Sequence, residues 1–329
     1  MTALLEVRGL GVTAGADTAP VTIVQDVSFT MQRGEVLGLA GESGSGKTMT
    51  ALALMGILPA QSRATGQVLF GDEDVLKLRG RALRQIQGRR IAMVFQDPSS
   101  ALHPMLTIGR QMTEHMRHHL GIGRRDSQQR ALDLLDQVRI PDPRAAVKAF
   151  PHQFSGGMRQ RIQIAIALAC EPDLLIADEP TTALDVTIQA GVLRLLDGLR
   201  RDRGLAVLLI THDLAALSAL ADRAVVMYAG RVVESCAVKE LATGNRHPYT
   251  RALLSSLPRP DARGPALVPI GGTPPSSAAR PPGCAFNPRC DFAIDACVSA
   301  VPPLVEIGQG HHCACPVDPF ADGEPDDRT

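Results

Sequence analysis

No stretch of the 329-residue chain approaches eighteen consecutive apolar residues, and Met1 to Leu10 lack the basic segment and longer apolar run of a secretion signal. Neither a membrane-spanning helix nor export is expected, so work at a membrane would need docking by a partner. Charge of one sign is not in excess: 34 Lys and Arg balance 34 Asp and Glu. That excludes the broad basic field that draws proteins to nucleic acid. Basic clusters from Arg79 to Arg90 and at Arg124 and Arg125 read as solvated faces. Aromatics are scarce, and none precedes Phe29. Seven cysteines in a chain of this length do not make the disulfide framework of a small secreted domain. What is present, 45% apolar side chains, suffices for one large domain with an appendage.

Residues 1–257 read as alternating strands and helices. Short β-rich apolar runs occur at Val36 to Ala40, Ile91 to Phe95, Leu174 to Ala177 and Ala206 to Ile210, the mark of buried, largely parallel strands. Between the last two, Val192, Leu195, Leu196 and Leu199 recur at helical spacing. The expected class is α/β with a central sheet. Residues 97–160 show helical apolar spacing at Leu132, Leu135 and Val138 and no clear strand, which predicts a mostly helical insertion. Eight prolines between Pro258 and Pro282 predict a linker or extended strap over 258–282. A compact Cys-rich unit follows over 283–316, and the acidic residues 317–329 read as disordered.

Gly41-Glu42-Ser43-Gly44-Ser45-Gly46-Lys47-Thr48 fits the phosphate-binding loop pattern and follows the apolar run Val36 to Ala40, as its mechanism requires. The glycines let successive backbone N–H groups point at one anion, and a helix N-terminus adds partial positive charge. Lys47 would reach the β and γ phosphates, and the Thr48 hydroxyl would ligate Mg²⁺. Leu174 to Glu179 is an apolar run ending in two carboxylates, expected at the sheet edge where the phosphate loop opens. Asp178 would hold the Mg²⁺ shell and Glu179 would polarise the attacking water, since phosphoryl transfer needs mainly positioning and charge neutralisation. Ser155-Gly156-Gly157-Met158 precedes an Ile- and Ala-rich helix and offers either an anion site or a plain N-cap.

The order of the phosphate loop, Gln96, Ser155-Gly156-Gly157, Asp178-Glu179, Ala183-Leu184-Asp185 and Thr211-His212-Asp213 resembles the ATP-binding-cassette ATPase family over residues 1–257. The resemblance implies ATP and Mg²⁺ as ligands. It implies that Gln96 senses the γ-phosphate and Mg²⁺ and links to a permease, that Asp185 lies at a dimer seam and that His212 contacts the γ-phosphate. Ser155 to Met158 would complete the site of a partner subunit, so that two ATP molecules are sandwiched head to tail. One departure is Met158, where the family usually has Gln. Another is the missing aromatic that usually stacks on adenine.

Within the family, Phe154 to Arg161, Val226 to Arg231, His247 to Leu254 and the cysteine tail resemble the dipeptide and oligopeptide importers. That branch implies a chain peripheral to the cytoplasmic face of the membrane, with two permease subunits, a second ATPase subunit, identical or related, and an extracytoplasmic solute-binding protein. A nickel or other small-solute importer, and a soluble phosphonate-cleaving assembly, share parts of the pattern. In the tail, Cys284, Cys290, Cys297, Cys313 and Cys315 lie close together among few apolar residues, so a cross-link is expected to hold the unit. An iron–sulfur centre, zinc and no metal all stay open on spacing alone. The resemblance implies a [4Fe–4S] cluster on Cys284, Cys290, Cys297 and Cys315, with Cys313 supernumerary.

Overall fold

The computed structural model describes residues 3–16, 18–181, 186–256, 270–317 and 319. Asp185, the first half of the Pro-rich strap and the acidic end of the chain lie outside the described residues. The chain forms two compact units, one from Ala3–Thr30, Val36–Leu76 and Thr211 onward, the other from Met31–Glu35 and Lys77–Ile210.

The first unit contains an antiparallel sheet with strands in the order Val21–Met31, Leu5–Ala14, Ser62–Phe70 and Glu73–Asp74. Leu5 and Val7 are buried, and so are Leu10 and Val12. The alternation changes parity between them because the register against Ser62–Phe70 shifts between Arg8 and Gly11. An irregularity of this kind inserts backbone without losing the buried face. A second sheet starts from Val36–Ala40, buried at all five positions and parallel to Arg223–Tyr228. Arg223–Tyr228 pairs antiparallel with Arg231–Ala237. His311–Cys313 joins the far edge of that strand, Glu234 opposite Cys313, and Val305–Gly308 completes the hairpin.

The expectation that the cysteine tail is short of core is therefore corrected. Its Phe286 is 2% exposed and lies in one cluster with Tyr228 and Tyr249, at ring-centroid distances of 5.3 and 5.4 Å. The tail borrows apolar surface from the elements before it, which a composition count within the tail alone could not reveal. Cys313 is a buried strand residue. The described part of the strap, 270–282, has neither helix nor strand, as its prolines require. Arg280 Nη2 donates to the Ile23 carbonyl at 2.8 Å and ties it down.

The second unit holds three parallel strands, Ile91–Val94, Leu174–Asp178 and Ala206–Thr211, buried throughout. Between the last two runs the helix Val186–Arg203 buries Val192, Leu196 and Leu199, the stripe its spacing predicts. Between Pro98 and Ala167 the regular structure is helical, including Ile108–Leu120, Arg124–Gln137 and Gly156–Ala167. No helix among the described residues is long and apolar enough to cross a membrane.

Candidate functional site

In the first unit the site is a loop between a buried strand and a helix. Val36–Ala40 delivers Gly41, whose φ of 147° and approach to the Met227 carbonyl leave no room for a Cβ. Ser43 and Gly44 are exposed, and Gly46 at φ 101° turns the chain into the helix Lys47–Met55. No side chain caps that helix, so no capping residue competes with a ligand for its first N–H groups. Ser45 is buried, and its carbonyl accepts from Gly230 N at 3.0 Å. Lys47 is 5% exposed and lies across the loop, its Nζ donating to the Gly41 carbonyl at 2.7 Å and the Glu42 carbonyl at 3.0 Å. Thr48 is exposed in the first turn. Backbone donors, an ammonium and a hydroxyl thus share one loop, the donor set that a magnesium-bound phosphate needs.

His212, exposed, sits between two fixed points of the same unit. Thr211 ends a buried strand and its Oγ1 accepts from Asp213 N at 2.9 Å, while Asp213 caps the helix Leu214–Leu220 by accepting from Ala215 N at 2.8 Å and Ala216 N at 3.2 Å. The Asp cap directly after His212 makes the residue the hinge of a strand-to-helix turn.

In the second unit Asp178 is the last residue of its strand and 3% exposed. Glu179 turns off the strand with φ 46°, held by its N–H on the Ile210 carbonyl at 2.9 Å. A non-glycine residue in that region costs on the order of 1 to 3 kcal/mol and persists only where its surroundings enforce it. Gln96 Nε2 donates to Glu179 Oε2 at 3.0 Å, so the structure brings these two sequence-predicted residues together. Ser155 caps the helix Gly156–Ala167, its Oγ accepting from Met158 N at 3.4 Å. The N-cap arrangement is therefore present, and the exposed serine sits at a helix start. Gly157 lies against the Ile188 side chain, where a Cβ would meet it at 2.7 Å, and Gly156 and Met158 are half-buried beside it.

Cys284, Cys290, Cys297 and Cys315 line one cavity in the tail, together with Phe286 and Ala314. Burial pushes the Cys290 thiol up to about 11 and raises Cys284 as well. Among the described residues no three of these sulfurs lie within 4.8 Å of one another. Two residues beside the phosphate loop were given no role by the sequence, Tyr249 and Arg289. Both stand in motifs that mark the branch, but nothing in a linear motif says that it folds back onto Glu42.

The sequence profile described as ABC transporter matches residues 24–182, and that of the oligopeptide/dipeptide transporter, C-terminal region, matches residues 233–297. The chain is 44% identical over 313 residues to the oligopeptide transport ATP-binding protein OppD of Escherichia coli, covering 95% of this chain and 93% of that one. It is 49% identical over 317 residues to the protein of the same name from Mycobacterium tuberculosis, covering 96% of this chain and 52% of the other. The chain thus spans about half the length of its mycobacterial relatives. Among solved structures, a dimeric ATP-binding cassette in a post-hydrolysis state bound to ADP and Pi superposes with a TM-score of 0.63 at 26% identity, covering 71% of this chain and 98% of that one.

Proposed function

Since the chain belongs to the ATP-binding-cassette family and carries the C-terminal region of its oligopeptide and dipeptide transporters, we propose that it is the ATP-hydrolysing subunit of a peptide importer. The observation that carries this reading is the phosphate loop, where Lys47, the exposed Thr48 and the uncapped start of the helix Lys47–Met55 present cationic, hydroxyl and backbone donors. ATP supplies the transferable phosphoryl group and Mg²⁺ neutralises its charge. Gly41 to Thr48 hold the phosphates, Thr48, Gln96 and Asp178 offer oxygen to the magnesium, and Glu179, oriented by Gln96, holds the attacking water and accepts its proton. His212 steadies the γ-phosphate. Ser155, Gly156, Gly157 and Met158, with Asp185, serve the nucleotide of a second ATPase subunit, so closure and hydrolysis are coupled. The subunit works on the cytoplasmic face of a membrane with two permease subunits and a solute-binding protein. Residues 1–257 form the cassette, 258–282 a strap, 283–316 the Cys-rich region and 317–329 the tail.

The test is nucleotide binding by the full chain in calorimetry. Wild type is expected to bind ATP with Mg²⁺, and Lys47→Ala is expected to lose that binding. Equal binding by both would remove the assignment of the loop.

The same reading gives the tail a metal centre. A tetrahedral zinc site would bring its sulfurs to about 3.8 Å from one another, given Zn–S bonds near 2.3 Å. Cys284, Cys290, Cys297 and Cys315 line one cavity, and four thiolates are the donor set that would hold a [4Fe–4S] cluster, whose role would be to cross-link the tail. Anaerobic purification is expected to give a coloured protein with iron. A colourless protein without iron sinks the cluster, and one zinc per chain would replace it.

A further inference from the structure

The phosphate loop contains a carboxylate, Glu42, next to the glycine at which the loop begins. A fixed negative charge there opposes a triphosphate. The structure places a guanidinium against it from 247 residues away: Arg289 Nη1 donates to Glu42 Oε2 at 2.8 Å and Nη2 to Oε1 at 3.1 Å, the fork geometry that arginine alone offers. The remaining donors are also used. Nε meets the Gly271 carbonyl at 2.7 Å, Nη1 the Tyr228 hydroxyl at 3.0 Å, and Nη2 approaches the Ile270 carbonyl at 3.5 Å. The Arg289 side chain is 4% exposed, against 22% for Glu42, and its charged carbon lies 5.8 and 5.7 Å from the ring centroids of Tyr228 and Phe286. An arginine so deeply held is not a surface ion pair of little worth, and removing one partner would leave the other charge without compensation.

Glu42 is gripped at every polar group. Its N–H donates to the Tyr249 hydroxyl at 2.8 Å, its carbonyl accepts from Lys47 Nζ at 3.0 Å, and its carboxylate takes Arg289. Two of these three anchors come from the C-terminal part of the chain. The third is the lysine assigned to the phosphates. A shift of Glu42 therefore moves the carbonyl that positions the Lys47 ammonium.

We propose that Arg289 is a positioning residue of the nucleotide site, which neutralises Glu42 and fixes the phosphate loop, so that the C-terminal region sets the affinity for ATP. The proposal rests on the reading that the loop binds ATP. It gives the extension a task beyond holding its own fold, because the residue that reaches the loop is adjacent to Cys290 in the thiol-lined cavity.

The test is a charge-rescue cycle on the full chain, with MgATP titrated in a calorimeter and thermal melting recorded in parallel. R289M is expected to bind ATP at least about tenfold more weakly, since it leaves Glu42 bare beside the phosphates. The double variant R289M/E42Q is expected to bind more tightly than R289M and to recover most of the loss, because no bare carboxylate then remains. An Arg289 that served only the packing of the tail would give a double variant as weak as R289M. That result, or wild-type affinity in a folded R289M, overturns the proposal. Should R289M lose its cooperative melt, R289K decides: it keeps the charge without the fork, so a loss of a few-fold supports the proposal and wild-type affinity contradicts it. Absence of ATP binding by wild type would instead remove the assignment of the loop itself.

Discussion

At the scale of single residues, the missing aromatic near the chain start has a consequence for base recognition. Phe29 and Phe70, the first two aromatics, are 7% and 0% exposed, so neither offers a ring face to a base. A base–aromatic stack contributes roughly 1 to 3 kcal/mol per base. Without it, adenine would be left to apolar and backbone contacts, and selectivity between purines is expected to fall. GTP is expected to displace bound ATP at comparable concentrations in a competition titration with the full chain. A large preference for ATP would show that another side chain replaces the stack.

Also at this scale, His247 is a buried imidazole whose Nδ1 accepts from Tyr249 N at 3.1 Å. Burial holds it down to about 4 against an ordinary value near 6.5, partly offset by the Glu234 carboxylate. The folded protein keeps this ring neutral while the unfolded chain protonates it, so stability falls as pH drops from about 6.5 to about 4. The loss from this one group is on the order of 3 kcal/mol at the low end. His115 is depressed to the same range, mainly by burial and then by His119, and steepens the decline. His247→Asn retains a cap acceptor without a titrating ring and is expected to flatten part of the melting-temperature slope over this window. An unchanged slope would mean that His247 is protonated in the folded state.

At the scale of elements, the tail is held to the rest of the first unit by Phe286 among Tyr228 and Tyr249 and by the pairing of Glu234 with Cys313. Phe286→Ala is expected to cost about 3 to 5 kcal/mol in chemical denaturation, the range for truncating a buried aromatic. A cost below about 1 kcal/mol would show that the tail docks by other means.

The elements legible in the sequence were those with one dominant signal. Val36–Ala40, Leu174–Asp178 and Ala206–Thr211 are buried on both faces and read as unbroken apolar runs. Leu5–Ala14 buries Leu5, Val7, Leu10 and Val12 but changes parity between Val7 and Leu10, so neither the strand nor the helix period fits it. The hairpin Val305–Gly308 and His311–Cys313 was hidden differently: its first strand is exposed at all four positions, and no period separates such a segment from a loop. Local site residues such as Lys47 and Glu179 were visible because a loop or strand end fixes them. Arg289 was not, since its role depends on a fold that returns it to Glu42.

At the scale of the whole molecule, 34 basic residues balance 34 acidic ones, and no helix among the described residues is long and apolar enough to cross a membrane. On the proposed reading, Glu179, positioned by Gln96, turns nucleotide binding into hydrolysis. Steady-state ATPase activity of the assembled importer containing Glu179→Gln tests it most directly. Retained ATP binding is expected, with turnover lowered by about 10² to 10³, the loss typical of one transition-state contact. Turnover at the wild-type rate would contradict it.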